Sequence, residues 1–125
     1  MISAKPSTVA VEKGITLPKG YQVAKDLNLV NLKPWHFVTD TEFEGLFEVV
    51  NKHYPIREVI PFARRDDNDD VACFVSRDPE QEAGQVIIIH DFASLGYEVV
   101  ARMKTFWDWF KYAVDEMIEF CESPQ

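Results

Sequence analysis

The chain has 125 residues, 46% hydrophobic and 13% aromatic, a composition that predicts one folded domain and excludes an intrinsically disordered chain. It begins with no basic and apolar leader and contains no apolar run of roughly 18 residues, so we expect no signal peptide, no membrane span and a soluble, cytoplasmic protein. Its two cysteines, Cys73 and Cys121, are interpreted as small buried hydrophobic residues.

The formal net charge of −8 is unevenly distributed along the chain. Nine Lys and Arg stand against seven Asp and Glu through Arg65, whereas four stand against fourteen from Asp66 onward. Such an acidic second half argues against nucleic acid or an anionic membrane as the partner, because both need a basic footprint. It favours a basic protein partner, with solubility alone as the alternative.

The first third of the chain gives weak signals. Residues 1–16 show no periodicity and are predicted to be an irregular lead-in, followed by a turn at residues 17–21, where Pro18 and Gly20 occur. Residues 25–32 are compatible with a short helix or a loop. Residues 33–38 are predicted to be extended, with Trp35 and Phe37 on one face and His36 on the other.

A helix is predicted from residue 40 to residue 54, ended by Pro55. Thr41 and Glu44 match a capping box, in which the hydroxyl and the carboxylate each satisfy a free backbone amide. Apolar residues recur at three- and four-residue steps and predict one buried face. They are Phe43, Leu46, Phe47, Val50 and Tyr54.

The central prediction is an antiparallel hairpin. Apolar runs at residues 59–63 and 71–75 flank a polar turn that contains four aspartates, and Asp and Asn favour turns. Pro61 cannot donate to a ladder, so its strand is predicted to be an edge strand or to carry a bulge. The aspartates are expected to project into solvent.

Two more strands follow a polar connector at residues 77–84. Residues 85–91 are predicted to be a strand, and the unbroken apolar run within it, residues 86–89, indicates a central strand with apolar contacts on both faces. Residues 92–96 are predicted to be a loop and residues 97–102 a further strand.

The last helix is predicted to begin after Thr105, with Asp108 in the capping-box position. Its core stripe is expected to be Phe106, Phe110, Ala113, Val114, Met117 and Cys121, widened by Trp107, Trp109 and Ile118. Together these elements predict an α+β fold: one domain with an antiparallel meander of about four strands after the first helix, and a C-terminal amphipathic helix packed on one face.

No catalytic, metal or cofactor site is predicted. Asp66, Asn68 and Asp70 start like a calcium loop, but Val71 and Arg77 stand where glycine and the bidentate glutamate are needed. The three histidines have no zinc-ligand spacing. Neither a nucleophile elbow nor a glycine-rich phosphate loop occurs. The adjacent His90 and Asp91 should point to opposite faces of a strand and cannot pair with each other unless the strand ends there.

Four short motifs, which occur in a fixed order between about residues 17 and 120, resemble the SUKH superfamily, which includes yeast cell-wall-synthesis regulators and many bacterial immunity proteins. They are Leu17-Pro18-x-x-Tyr21, Ile60-Pro61-Phe62-Ala63, Asp70-Val71-Ala72-Cys73-Phe74 and Thr105-Phe106-x-x-Trp109. The resemblance implies that residues 1–125 are a single SUKH-like domain with an α+β meander fold. For many bacterial members it also implies neutralisation of a toxin, often a nuclease or deaminase, by protein–protein binding.

The leading hypothesis is therefore a non-enzymatic immunity protein that masks a basic toxin surface. A regulatory or scaffolding domain with another protein partner is the alternative, and an enzyme or small-ligand binder is a third possibility. The predicted partner-binding residues are acidic: Asp66, Asp67, Asp69, Asp70, Glu80, Glu82, Glu119 and Glu122.

Overall fold

A computed structural model describes residues 1–123, which form four helices and six strands. In chain order the elements are α1 (Lys5–Glu12), α2 (Lys19–Asp26), β1 (Asn31–Leu32), β2 (Trp35–Phe37), α3 (Asp40–His53), β3 (Glu58–Arg65), β4 (Asp70–Arg77), β5 (Val86–His90), β6 (Val99–Met103) and α4 (Phe106–Glu122).

The six strands form one antiparallel sheet in the order β1-β2-β3-β4-β5-β6. The α+β class is confirmed, but the prediction of about four strands is too low. The two additional strands precede α3 and have only two and three residues, too few to show an alternating pattern. The side chains of β2 nevertheless point to the predicted faces, because Trp35 and Phe37 are buried and His36 is half-buried.

Helices cover both faces of the sheet, which explains the unbroken apolar run in β5. On one face, Ile88 lies in the core that contains Tyr21 of α2 and Trp109 of α4. On the opposite face, Ile87 and Ile89 pack in a second cluster with Val50 and Tyr54 from the end of α3. Since alternate strand residues point to opposite faces, both halves of the apolar run are buried, as predicted.

The hairpin of β3 and β4 is confirmed, with its turn at residues 66–69. β3 lies inside the sheet, so Pro61 is not on an edge strand; the register shifts between Pro61 and Ala63 instead, which is the predicted bulge. The last strand lies slightly later than predicted, at Val99–Met103, and Tyr97 is exposed. Cys73 is buried as predicted, and burial raises the pKa of its thiol.

Two N-terminal predictions are wrong. The expected irregular lead-in contains α1, which buries Ala10. The ion pairs of Lys5 with Glu44 and of Lys13 with Glu58 join this helix to α3 and β3. The turn expected at residues 17–21 instead contains the start of α2, whose N-cap residue is Pro18. Helices of eight residues are too short to be stable alone, so tertiary packing that local sequence does not reveal stabilises them.

Two helix registers also differ from prediction. The capping box of α3 consists of Thr39 and Glu42, two residues earlier than expected. Thr105 caps α4 as predicted, its hydroxyl accepting from the Asp108 amide at 3.0 Å. The fully buried residues of α4 are Phe106, Trp109 and Ala113. The predicted core stripe of α4 is therefore displaced from the face that is buried, since Phe110 is only half-buried and Cys121 is exposed.

No helix among residues 1–123 is long and apolar enough to cross a membrane.

Candidate functional site

The turn between β3 and β4 presents three exposed aspartates, Asp66, Asp67 and Asp69. Its shape follows from local chemistry, because the Asn68 side chain accepts a hydrogen bond from the Asp70 amide at 2.8 Å. Asp70 itself does not project into solvent as predicted. It is 9% exposed and its carboxylate lies 2.6 Å from His90 Nδ1.

Arg65 joins this turn to the second half of α4. Its guanidinium donates to both carboxylate oxygens of Asp67, at 2.8 and 2.9 Å, and to Glu116 at 2.7 Å. The hydrogen bonds from Arg65 hold the pKa of the Asp67 carboxyl below its usual range. The second oxygen of Glu116 accepts from Trp35 Nε1 at 2.7 Å, which fixes the helix against β2.

The carboxyl end of α4 therefore lies beside the hairpin turn. Glu119 borders the same small groove as Arg65 and Glu116, and both Glu119 and Glu122 are exposed. The last turn of α4 has no basic residue, so its carboxylates and the negative end of the helix dipole add to one another. We call the exposed set the acidic end; it consists of Asp66, Asp67, Asp69, Glu119 and Glu122.

The other two predicted partner-binding residues lie elsewhere. Glu80 and Glu82 are exposed in the β4–β5 loop, at the opposite end of β4 from the turn. An eight-residue strand spans roughly 25 Å, so these residues do not extend the acidic end. Glu80 lies 2.9 Å from Arg102, within a separate network.

That network is a buried ion-pair cluster which sequence reasoning missed. Arg57 binds Asp78 at 2.8 Å and also binds Glu98, while Arg102 donates to Asp78 at 3.2 Å. Burial raises the pKa values of the Asp78 and Glu98 carboxyls, but hydrogen bonds from backbone amides and from Arg57 lower them more, so both are held below their usual range. The cluster ties the β4–β5 loop to the β5–β6 loop.

Each histidine is paired with a carboxylate, an arrangement that sequence reasoning also missed. His36 lies 3.0 Å from Glu42 and 2.8 Å from Asp66. His90 lies beside Asp70, and His53 Nδ1 is 3.1 Å from Asp91. β5 ends at His90, and the neighbours His90 and Asp91 pair with different residues. The partners are 6 to 38 residues apart in the chain, and most of these pairs form only when the strands and α3 pack together.

Among residues 1–123, no group of three or more His, Cys, Asp or Glu side chains is arranged to hold a metal ion. The arrangement provides two sets of carboxylates. One is exposed at the acidic end and includes Asp66, which also contacts His36. The other is partly buried beside the histidines and consists of Glu42, Asp70 and Asp91.

The chain was compared with protein-family models, curated proteins and solved structures, and none of the three comparisons gives a match.

Proposed function

We propose that this chain is a non-enzymatic protein-binding module that docks a basic partner on its acidic end. The observation that carries the proposal is the double contact of Arg65 with Asp67 and Glu116. It joins two acidic segments that are about fifty residues apart in the chain into one surface. Arg65 is itself only 16% exposed and is engaged by Asp67 and Glu116, so it adds little positive charge to the exposed surface.

A surface of this kind attracts a positively charged partner over distance. Electrostatic complementarity mainly accelerates association and selects among partners, and its effect weakens as salt screens it. Proteins that grip nucleic acid present basic grooves to the phosphate backbone. Carboxylates at the end of a projecting hairpin could occupy such a groove as a phosphate mimic.

We further propose that the module is of the SUKH type and acts as an immunity protein against a nuclease or deaminase toxin. Support comes from the part that the motif residues play in the fold. Tyr21 packs against Phe62 and Phe74 with ring centroids 5.7 and 5.1 Å apart. Phe106 lies 6.0 Å from Tyr21. Aromatic residues from all four motifs thus meet in one core.

The test is capture and quantitative binding. The wild-type protein is used to capture a partner from its native cell, and the affinity for that partner is then measured by surface plasmon resonance from low to high salt. A variant with Asp66→Asn, Asp67→Asn, Glu119→Gln and Glu122→Gln removes four charges from the acidic end. We expect at least about ten-fold weaker binding at low salt and a shallower salt dependence.

The matched control removes four exposed charges elsewhere, through Glu12→Gln, Glu48→Gln, Glu80→Gln and Glu82→Gln. Equal affinities for the two variants across the salt series would contradict docking at the acidic end. The immunity role is tested separately, by co-expressing the chain with the captured protein: rescue of growth by the wild type and not by the acidic-end variant is expected.

A further inference from the structure

A partly open cavity of about 390 Å³ lies between the first half of α3 and the ends of β3, β4 and β5. Its apolar wall comes from Leu46 and Val49 of α3, Val71 of β4 and Phe92. The cavity lies on the amino-terminal side of Val50 and Tyr54, the residues through which the end of α3 packs on this face of the sheet. A volume of this size is typical of a ligand or side-chain pocket.

The polar wall is strongly negative. Four carboxylates, Glu42, Asp69, Asp70 and Asp91, and one guanidinium, Arg64, line the cavity, which gives a formal charge of −3. Glu42 is already engaged, because it accepts from the Thr39 amide and lies 3.0 Å from His36 and 3.6 Å from Arg64. The remaining negative charge belongs to the three aspartates.

Asp70 and Asp91 are each held in place by a histidine. Their side chains are 12% and 9% exposed, and in each a histidine contacts the oxygen Oδ1. The two segments are joined by a hydrogen bond from the Asp91 amide to the Asp69 carbonyl at 3.0 Å. A histidine on one oxygen leaves each carboxylate able to accept from a second donor.

Phe92 adds an aromatic surface at the rim. Its side chain is 74% exposed, and its ring centroid lies 6.1 Å from that of His53. An exposed ring beside two fixed carboxylates suits a guanidinium better than an ammonium group. A guanidinium is planar, stacks on aromatic faces and donates several hydrogen bonds in one plane. The aliphatic stem of an arginine would match the apolar wall.

We infer that the cavity is a socket for an arginine side chain of the basic partner, with the guanidinium between Asp70 and Asp91 and against the ring of Phe92. The inference rests on the proposed function, since it supplies the specific contact of the same interface. The acidic end would steer the partner, and the socket would select an arginine at one position of its surface.

The inference is tested without the partner, by NMR titration with Nα-acetyl-L-arginine amide. We expect saturable shifts of the amide signals of Val71 and Phe92. The citrulline amide has nearly the same shape but no charge, and should bind at least about ten-fold more weakly. The lysine amide should also bind more weakly than arginine. Equal binding of all three, or shifts confined to other regions, would overturn the socket; equal binding of lysine and arginine would overturn its selectivity.

Two variants and a control locate the site. Asp91→Asn removes one charge and should weaken arginine-amide binding at least about five-fold. Gly45→Leu fills the space from the wall, since a Cβ at this helical position meets nothing within 4 Å, and should abolish the shifts in a folded protein. Glu82→Gln, far from the cavity, should change nothing; an equal loss with this control would show non-specific attraction instead.

The acidic-end variant keeps every cavity residue, so the two proposals can fail separately. If it binds the captured partner weakly while arginine amide binds normally, and Gly45→Leu also weakens the partner, both proposals are supported. If arginine amide does not bind but the partner still depends on the acidic end, the socket is wrong and the proposed function stands. If arginine amide binds and no partner depends on the acidic end, the proposed function fails and the socket becomes an isolated guanidinium site.

Discussion

Gly20 of α2 lies directly against the indole ring of Trp107 in α4. A Cβ atom at residue 20 would be 2.7 Å from both Cε2 and Nε1 of Trp107, and 3.0 Å from Cδ2 of Phe106. Distances of this size are repulsive, so glycine is what allows the two helices to approach. The contact explains how a short N-terminal helix that is marginal by itself is held on the core.

We predict that Gly20→Ala lowers the free energy of unfolding by about 1–3 kcal/mol. Trp107 is 47% exposed and can move, but Phe106 is 1% exposed and cannot move without disturbing the core. The matched control is Gly45→Ala, where the added Cβ meets nothing. This change should stabilise α3 by about 0.5–1 kcal/mol. Urea unfolding measures both; a loss of stability at residue 45 equal to that at residue 20 would contradict the packing argument.

The burial of α4 predicts a large difference between two adjacent aromatic residues. Trp109 is fully buried, with its ring centroid 5.6 Å from that of Trp35 and 4.8 Å from that of Phe62. Trp109→Ala should cost about 3–5 kcal/mol, enough to unfold much of a protein of ordinary stability. Phe110→Ala should cost clearly less, because this side chain is half-buried. Thermal denaturation of the two variants tests the register, and equal losses would disprove it.

The sequence predicts the bounds of α4 well but not which of its faces is buried. Eleven of the 17 residues of α4 are hydrophobic and they surround much of the helix, so a 3.6-residue period is compatible with several faces. The position of β2 decides among them, since Trp35 contacts Trp109. The hairpin and β5 are predictable from sequence because turn chemistry and an unbroken apolar run are local signals.

In the candidate site, too, the sequence predicts what depends on local structure and does not predict what depends on long-range contacts. The exposed aspartates of the turn are predictable because the turn is a local structure. The burial of Asp70 is not, because it depends on the pairing of Asp70 with His90 across β4 and β5. Nor does the sequence show that Glu119 belongs with the turn while Glu82 does not. That distinction needs the strand order and the packing of α4, which are set by contacts distant in sequence.

Arg65 should matter for stability as well as for the surface. Arg65→Gln removes the hydrogen bonds that its side chain makes to Asp67 and Glu116. These bonds are charge-assisted but partly screened by solvent, so a loss of about 1–2 kcal/mol in the free energy of unfolding is expected.

The control for this prediction is Arg64→Gln. Its ion pair with Glu42 is 3.6 Å long and the Arg64 side chain is 35% exposed, so the change should be within about 0.5 kcal/mol. Chemical denaturation at neutral pH distinguishes the two residues, and a larger loss for Arg64 would show that the bridge to α4 is not the stronger contact.

The buried cluster of Arg57, Asp78 and Glu98 predicts a specific loss of stability in acid. Because the folded state holds the pKa values of both carboxyls below their ordinary values of 3.8 and 4.5, folding favours their ionised forms. The resulting stabilisation is fully present above those ordinary values and is lost as the pH falls through the lowered values of the folded state. The thermal midpoint should therefore change little from neutral pH to about pH 5 and fall steeply below about pH 4.

Asp78→Asn tests whether this cluster causes the acid response. At neutral pH the variant should lose about 3–5 kcal/mol, because Arg57 stays buried with only one of its two carboxylate partners. Since one titrating group is gone, its free energy of unfolding should then fall less than that of the wild type between pH 5 and pH 3. Glu82→Gln, an exposed change in the same loop, should leave the whole curve in place. Curves for Asp78→Asn and the wild type that run parallel through this range would show that acid acts elsewhere in the protein, whatever the loss at neutral pH.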